Sequence, residues 1–365
     1  MIASSLHPME RPAPQKAETT MPLMKAVTFR DFGGPEMLQA TEVQRPEPGP
    51  SDVLVKIHAA GICYHDVLSR AGKIPRDKPG QILGHEIAGE IAAVGSDVSP
   101  DRIGERVVIY QRLSCGTCRY CLGGRHDLCR NSRVLGENGG GGYAEFTCVP
   151  ARNTIAIPDG LDMTTAALAV CPIGTCVRAT LGVAEAGPGD KVLITGAGGG
   201  LGLHQIQVAK SVKAHVIAVT SSEEKVDIIK QAGADEVIIS PDLKFSKEVW
   251  RLTEKQGVDI VLENVVTGTF GESLRSTAQN AIVVVLGNIG TQPVAVDPGL
   301  VIVRRIRIAG SGNATYADVH RALHLLSIGA VKPFIGQVLR FPEVGQGHAL
   351  MEQKAVVGRV VLNGW

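Results

Sequence analysis

Residues 191–202 read Lys-Val-Leu-Ile-Thr-Gly-Ala-Gly-Gly-Gly-Leu-Gly. Lys191–Thr195 is a short apolar run of strand composition, and Leu201–Val212 beyond the glycines has helical spacing. A small-residue turn between a strand and a helix lets backbone approach a pyrophosphate, which the helix N-terminus meets with free N–H groups. The G-x-G-x-x-G pattern is matched when Ala197 takes the first glycine's place, followed by Gly199 and Gly202. Gly196, Gly200 and Leu201 complete the turn. The strand–turn–helix setting separates this stretch from a merely structural glycine turn.

Strands and helices alternate from there on. Strand His215–Thr220, helix Glu223–Ala232 and strands Glu236–Ser240, Asp259–Glu263, Ile282–Leu286 and Ile306–Ala309 predict a parallel sheet covered by helices on both faces. Upstream, from Met24 to Pro172, the texture is short β-runs between Gly/Pro turns: Lys25–Phe29, Asp52–Ala60, Glu86–Val94, Glu105–Ile109 and Gly142–Val149. After Gly312 one amphipathic helix, Ala317–Ile328, and two β-like runs are expected, Gly336–Leu339 and Gly358–Leu362. The fold class is thus α/β, with a β-rich domain over 24–172 and a Rossmann dinucleotide-binding domain over 173–311. Residues 1–23 are rich in Pro, Thr, Glu and Lys, lack the apolar core of a secretory leader, and are expected to be a disordered extension.

The dinucleotide is chosen at the end of the second strand, where a carboxylate favours NAD and small or basic residues admit the NADP phosphate. The chain has Thr220-Ser221-Ser222-Glu223-Glu224-Lys225. No carboxylate occupies the strand end, and Ser221, Ser222 and Lys225 suit a phosphate, so NADP is favoured. Glu223 and Glu224 keep NAD open, although helical geometry assigns them to the first turn of the next helix.

Composition narrows the partners. Lys+Arg 37 against Asp+Glu 36 gives a net charge of +1, and aromatics are 4%. Neither supports nucleic-acid binding. No apolar run reaches the roughly twenty residues of a membrane span. A cytoplasmic protein acting on a small molecule is expected.

Cys115, Cys118, Cys121 and Cys129 stand in one loop with Cys-x2-Cys-x2-Cys-x7-Cys spacing. Four thiolates so close can surround one zinc ion and leave no position for substrate, which makes the site structural. Paired disulfides would suit a small secreted domain, and this chain has 365 residues. A second constellation is scattered: Cys63, the pair His85-Glu86, and Cys171 just ahead of the dinucleotide domain. Two thiolates and an imidazole form a zinc set that leaves a position open for water or a carbonyl oxygen. Cys148 and Cys176 fit neither set and are expected to be core residues.

The run Gly84–Val98 (GHEIAGEIAAVGSDV) has the form Gly-His-Glu-x2-Gly-x5-Gly-x2-Val, and the cysteine lobe and glycine turn follow it in order. On these motifs the chain resembles the zinc-containing medium-chain dehydrogenase/reductases, the alcohol dehydrogenase superfamily, over nearly everything after Met24. The resemblance implies that Cys63, His85 and Cys171 are zinc ligands, that Glu86 exchanges onto the metal, and that Asp66 orients His85. It further implies a GroES-like catalytic domain over 24–172 completed by residues 312–365, an active site between domains, and homodimers or homotetramers built through the Rossmann domains.

One departure matters. Many relatives carry Ser or Thr two residues after the first cysteine ligand and His five residues after it. Here those positions are His65 and Leu68. His65 must then handle the proton itself, which its near-neutral pKa permits. The Cys63-Tyr64-His65-Asp66 stretch and the VTSSEEK segment are also similar to zinc-type acryloyl-CoA reductases, which reduce an activated C=C bond with NADPH. Intact zinc ligands favour interconversion of an alcohol with its aldehyde or ketone. The alternative is reduction of an α,β-unsaturated carbonyl or acyl-CoA thioester. A non-enzymatic superfamily member is a third reading, against which the complete ligand set and balanced charge argue.

Overall fold

The computed structural model describes residues 22–138, 140–287 and 292–365. Residues 1–21 of the expected extension lie outside the described residues. Leu23, its last residue, already opens the first strand, Leu23–Phe29.

The second half of the chain builds a six-stranded, all-parallel sheet. Its order is Glu236–Ile239, His215–Thr220, Lys191–Ile194, Val258–Glu263, Thr277–Val285 and Arg307–Gly310. Strand side chains alternate between faces. Val192 and Ile194 therefore enter one buried cluster with Leu203 and Ile206, while Leu193 enters another with Phe245, Val249 and Phe270. Both faces are covered, which is why these strands read as unbroken apolar runs. The chain order reverses direction across the sheet between Lys191–Ile194 and Val258–Glu263, and such switch points open a ligand crevice at the carboxyl ends of the strands.

The first half forms a mostly antiparallel sheet that the C-terminus completes. Strands Ile335–Leu339 and Arg359–Asn363 continue into Asp52–Gly61, Glu86–Val94, Arg106–Ile109 and Thr154–Ala156, and Phe146–Pro150 also pairs with Asp52–Gly61. Val361 lies opposite Gly61, so the tail is laid against the strand that leads to Cys63.

Several expectations are corrected. A helical run from Met163 to Val183, including five- and six-residue π-helical stretches, crosses the boundary drawn at residue 172. The expected helix Glu223–Ala232 is a 3-10 turn, Glu223–Lys225, followed by an α-helix, Val226–Gln231. The tail holds two helices, Tyr316–Ser327 and Val344–Glu352, where one was expected. Cys176 is a core residue, but Cys148 is only half-buried. It points to the more open face of Phe146–Pro150, with its thiol 3.7 Å from the Glu47 carbonyl.

Candidate metal and cofactor site

The two cysteine constellations converge as two separate clusters. In the lobe, sulfur separations run from 3.5 Å (Cys118–Cys121) through 3.6 Å (Cys115–Cys129) and 3.9 Å (Cys118–Cys129) to 4.0 Å (Cys115–Cys121). A disulfide needs about 2.05 Å. A tetrahedron with zinc–sulfur bonds of about 2.3 Å has edges of about 3.8 Å. The lobe has the dimensions of the second.

The other cluster draws on three elements. Cys63 caps the helix Tyr64–Arg70, His85 immediately precedes and Glu86 opens the strand Glu86–Val94, and Cys171 sits in the π-helical stretch Ala169–Ile173. Pro172 has no N–H to give the helix ladder, and Ile173 instead donates to Leu168, five residues back, at 3.1 Å. One ligand atom from each of Cys63, His85, Glu86 and Cys171 lies within 4.8 Å of the others.

The surroundings fix the chemical state of these groups. Nδ1 of His85 lies 3.1 Å from Oδ1 of Asp66, whose Oδ2 accepts from the Cys63 amide at 3.0 Å and the Tyr143 hydroxyl at 2.9 Å. Burial opposes charge on both, but their attraction wins. The imidazole is held well above its ordinary range and the carboxyl well below its own. Of the two thiols, Cys63 is the more acidic, because the Cys171 thiol donates to it and His85 and Arg359 stand near. Burial pushes the Glu86 carboxyl up to about 7 against the pull of Arg359, whose guanidinium donates to its Oε1. Oε2 of Glu86 is buried without a partner. An orphaned carboxylate oxygen beside two thiols and an oriented imidazole suits a divalent cation, so the donors present fit zinc. Gly61 makes room: a Cβ there would lie 2.0 Å from Oε2.

His65 stands edge-on to His85, ring centroids 5.9 Å apart. Its Nε2 lies 3.2 Å from Oε1 of Glu137, and Arg76 holds Oε2 of Glu137 at 3.0 Å. The Glu137 carboxylate raises the His65 pKa against burial, and His65 in turn lowers that of Glu137.

At the glycine turn, Gly196 has φ +59° and Ala197 is fully buried, its amide bonded to Val219. A Cβ on Gly202 would sit 2.6 Å from backbone atoms of Gly196 and Ala197, so helix and strand meet without space for a side chain. The Lys225 side chain packs over Gly198, where a Cβ would meet its Cδ at 2.6 Å. The stem of Arg359 lies against Gly200 in the same way, at 3.2 Å. Gly199 and Leu201 complete the turn, with the Gly199 amide bonded to Gly196. Ser221 is exposed and Ser222 partly so. Thr220 is buried, and its hydroxyl accepts from the Ser222 amide at 3.2 Å, so it shapes the loop from beneath. Glu223 and Glu224 are exposed in the 3-10 turn.

Sequence reading missed Glu137, Arg359 and Tyr143. They reach the site from 72, 273 and 77 positions away from His65, Glu86 and Asp66, distances at which no local pattern connects residues.

Two thiols, an imidazole and a carboxylate near a glycine turn between strand and helix form a donor set of the kind that metal-assisted, dinucleotide-dependent oxidoreductases use. Residues 49–159 match the alcohol dehydrogenase GroES-like domain and residues 200–327 match the zinc-binding dehydrogenase domain. The chain is 35% identical over 340 residues to acryloyl-coenzyme A reductase of Metallosphaera sedula, covering 93% of this chain and 99% of that protein. It is 34% identical over 349 residues to NAD-dependent alcohol dehydrogenase of Saccharolobus solfataricus, at 93% and 99% coverage. The crystal structure of AibC superposes with a TM-score of 0.91 at 40% identity, covering 98% of this chain and all of that one. The chain belongs to the zinc-binding dehydrogenases of the medium-chain dehydrogenase/reductase superfamily, and it is an oxidoreductase that uses a nicotinamide dinucleotide.

Proposed function

We propose that this protein interconverts an alcohol with its aldehyde or ketone, using NADP(H) in preference to NAD(H), with one zinc ion at Cys63, His85, Glu86 and Cys171 and a second in the cysteine lobe. The convergence of Cys63, His85, Glu86 and Cys171 carries the reading, because zinc-assisted carbonyl chemistry needs a cation whose ligands can open a position for substrate. When bound, zinc supplies Lewis acidity toward a carbonyl oxygen and the dinucleotide supplies or accepts hydride.

The chain's own residues do the rest. Asp66 fixes the tautomer and direction of His85, and Tyr143 and the Cys63 amide fix Asp66. Arg359 holds one oxygen of Glu86 and leaves the other free to exchange. His65 faces Glu137 through Nε2, and as imidazolium it is the proton source for a product oxygen. Ser221, Ser222 and Lys225 support the NADP preference, since two hydroxyls follow the strand end and the Lys225 stem crosses the glycine turn at Gly198.

A homodimer is supported by the edge strand Arg307–Gly310 and the apolar side chains beside it, Ile302 and Val303, which are 74% and 71% exposed. Eight free cysteines support a reducing, cytoplasmic setting. No helix among the described residues is long and apolar enough to cross a membrane.

The second reading is reduction of a C=C bond conjugated to a carbonyl or thioester. His65 in place of a hydroxyl favours it, as does similarity to proteins named acryloyl-coenzyme A reductase. Cinnamaldehyde with NADPH, followed by mass spectrometry of the product, decides between them. Cinnamyl alcohol supports the carbonyl reading, and the saturated aldehyde overturns it in favour of the second.

A further inference from the structure

Nine non-glycine residues among those described have positive φ, and Val266, at φ +67°, is the one β-branched residue of the nine. A branched side chain in the left-handed region is disfavoured and persists only where its surroundings force it. Val266 is also buried, 5% exposed, so no surface freedom explains it. It lies just past the carboxyl end of strand Val258–Glu263, on the far side of the sheet's switch point from the Thr220–Lys225 loop.

What forces it is Glu263, a fully buried carboxylate whose donors are all neutral. Its Oε1 accepts from the amides of Val265 (3.0 Å) and Val266 (2.9 Å) and from the hydroxyls of Thr195 (2.7 Å) and Thr269 (2.8 Å). The Ser273 hydroxyl donates to Oε2. Folding the two amides back onto their own strand's last side chain turns the chain into a tight elbow. Asn264 ties the elbow to the glycine turn's strand by donating to the Thr195 carbonyl at 2.8 Å, and to helix Gly202–Ser211 through Gln205 at 2.7 Å. Val265 projects toward the turn itself, since a Cβ on Gly196 would meet its Cγ2 at 3.0 Å.

Burying a carboxylate to hold a branched residue in a disfavoured backbone state is costly, and the crevice is where such rigidity has a use. We propose that Glu263 is a positioning residue for the dinucleotide: it locks the Val265–Val266 elbow as a rigid wall of the crevice, against the glycine turn that Val265 faces. This rests on the dinucleotide reading above.

The test is NADPH binding to the intact zinc-loaded protein, measured by nucleotide fluorescence alongside the melting midpoint. Val266→Gly frees the elbow while relaxing the φ strain. The Kd is expected to rise about tenfold, the scale of one newly freed backbone residue, beside a lower melting midpoint from the lost buried side chain. Glu263→Ala is expected to weaken binding at least as much. Glu263→Gln is expected to stay within twofold of wild type, because an amide oxygen still accepts the four bonds at Oε1 and its NH2 meets the Ser273 hydroxyl. Wild-type affinity in Val266→Gly overturns the proposal, and that variant decides alone if Glu263→Ala does not fold. Wild-type protein that binds neither NADPH nor NADH overturns the dinucleotide reading itself, and the proposal with it.

Discussion

Gly202→Ala tests the phosphate-binding turn most directly. A methyl group there would meet Ala197 Cα, Ala197 O and Gly196 O, all at 2.6 Å. All three are backbone atoms, so no rotamer change relieves the clash. Ordinary contact lies about 1 Å further out, and the start of helix Gly202–Ser211 must retreat from the strand by that amount. Overpacking of this kind costs about 1–3 kcal/mol of stability. The effect on binding is larger. A backbone N–H moved about 1 Å from a phosphate oxygen passes beyond the roughly 3.2 Å limit of a hydrogen bond. Each such charge-assisted bond contributes about 1.5–3 kcal/mol, so losing one raises the Kd for NADPH by about 10- to 100-fold. Fluorescence titration of NADPH, with zinc content measured in parallel, is the assay. Zinc should be unchanged, because neither cysteine cluster touches Gly202. A variant that loses stability yet binds NADPH within threefold of wild type would refute the role assigned to the turn.

Three further outcomes are expected. Asp66→Asn removes the charge that orients His85, and zinc at that cluster should be released to a chelator with about 10- to 100-fold weaker affinity, the lobe zinc being unaffected. Cys121→Ser should lower the zinc content from two ions to one and reduce the melting midpoint while leaving NADPH affinity intact, as a purely structural site requires. Glu137→Gln removes the carboxylate that raises the His65 pKa. On the proposed function carbonyl reduction draws a proton from His65, so the rate is expected to fall as pH rises through that pKa. The variant's descent should begin at lower pH in a kcat–pH profile, and a coincident profile removes His65 as the acid.

Much of this molecule is legible in its sequence, for reasons that differ by region. Strands His215–Thr220 and Glu86–Val94 have the bounds their composition suggests, because continuous or alternating β-branched runs admit few other structures. The cysteine lobe was legible from residue type and spacing, whereas Cys63, His85, Glu86 and Cys171, scattered over 108 positions, were legible only through residue type and the family resemblance. Helices Ser246–Leu252 and Phe270–Ser276 were not, since seven residues give a 3.6-residue period barely two turns in which to appear. The run Met163–Val183 hid behind Pro172, which usually ends a helix and here sits inside a π-helical stretch. Cys148 shows the remaining limit: a cysteine of neutral context was placed in the core, whereas strand alternation turns it to the open face. Glu137 and Arg359 find their partners only once the sheets have closed.

Arg359–Asn363, the strand that brings a guanidinium to Glu86, also fixes a sequence of events in biosynthesis. The parallel sheet is built from one continuous stretch, residues 191–310, and can form as soon as that stretch leaves the ribosome. The other sheet must wait. Strand Asp52–Gly61 pairs early with Glu86–Val94 and Phe146–Pro150. Its end at Ala59–Gly61, however, lacks its second neighbour until some three hundred residues later Val361 arrives opposite Gly61, a loop closure of the longest and slowest kind. The nascent chain therefore carries a parallel sheet beside a second sheet with an open edge, and the arrival of Arg359–Asn363 both closes that edge and brings the guanidinium to Glu86.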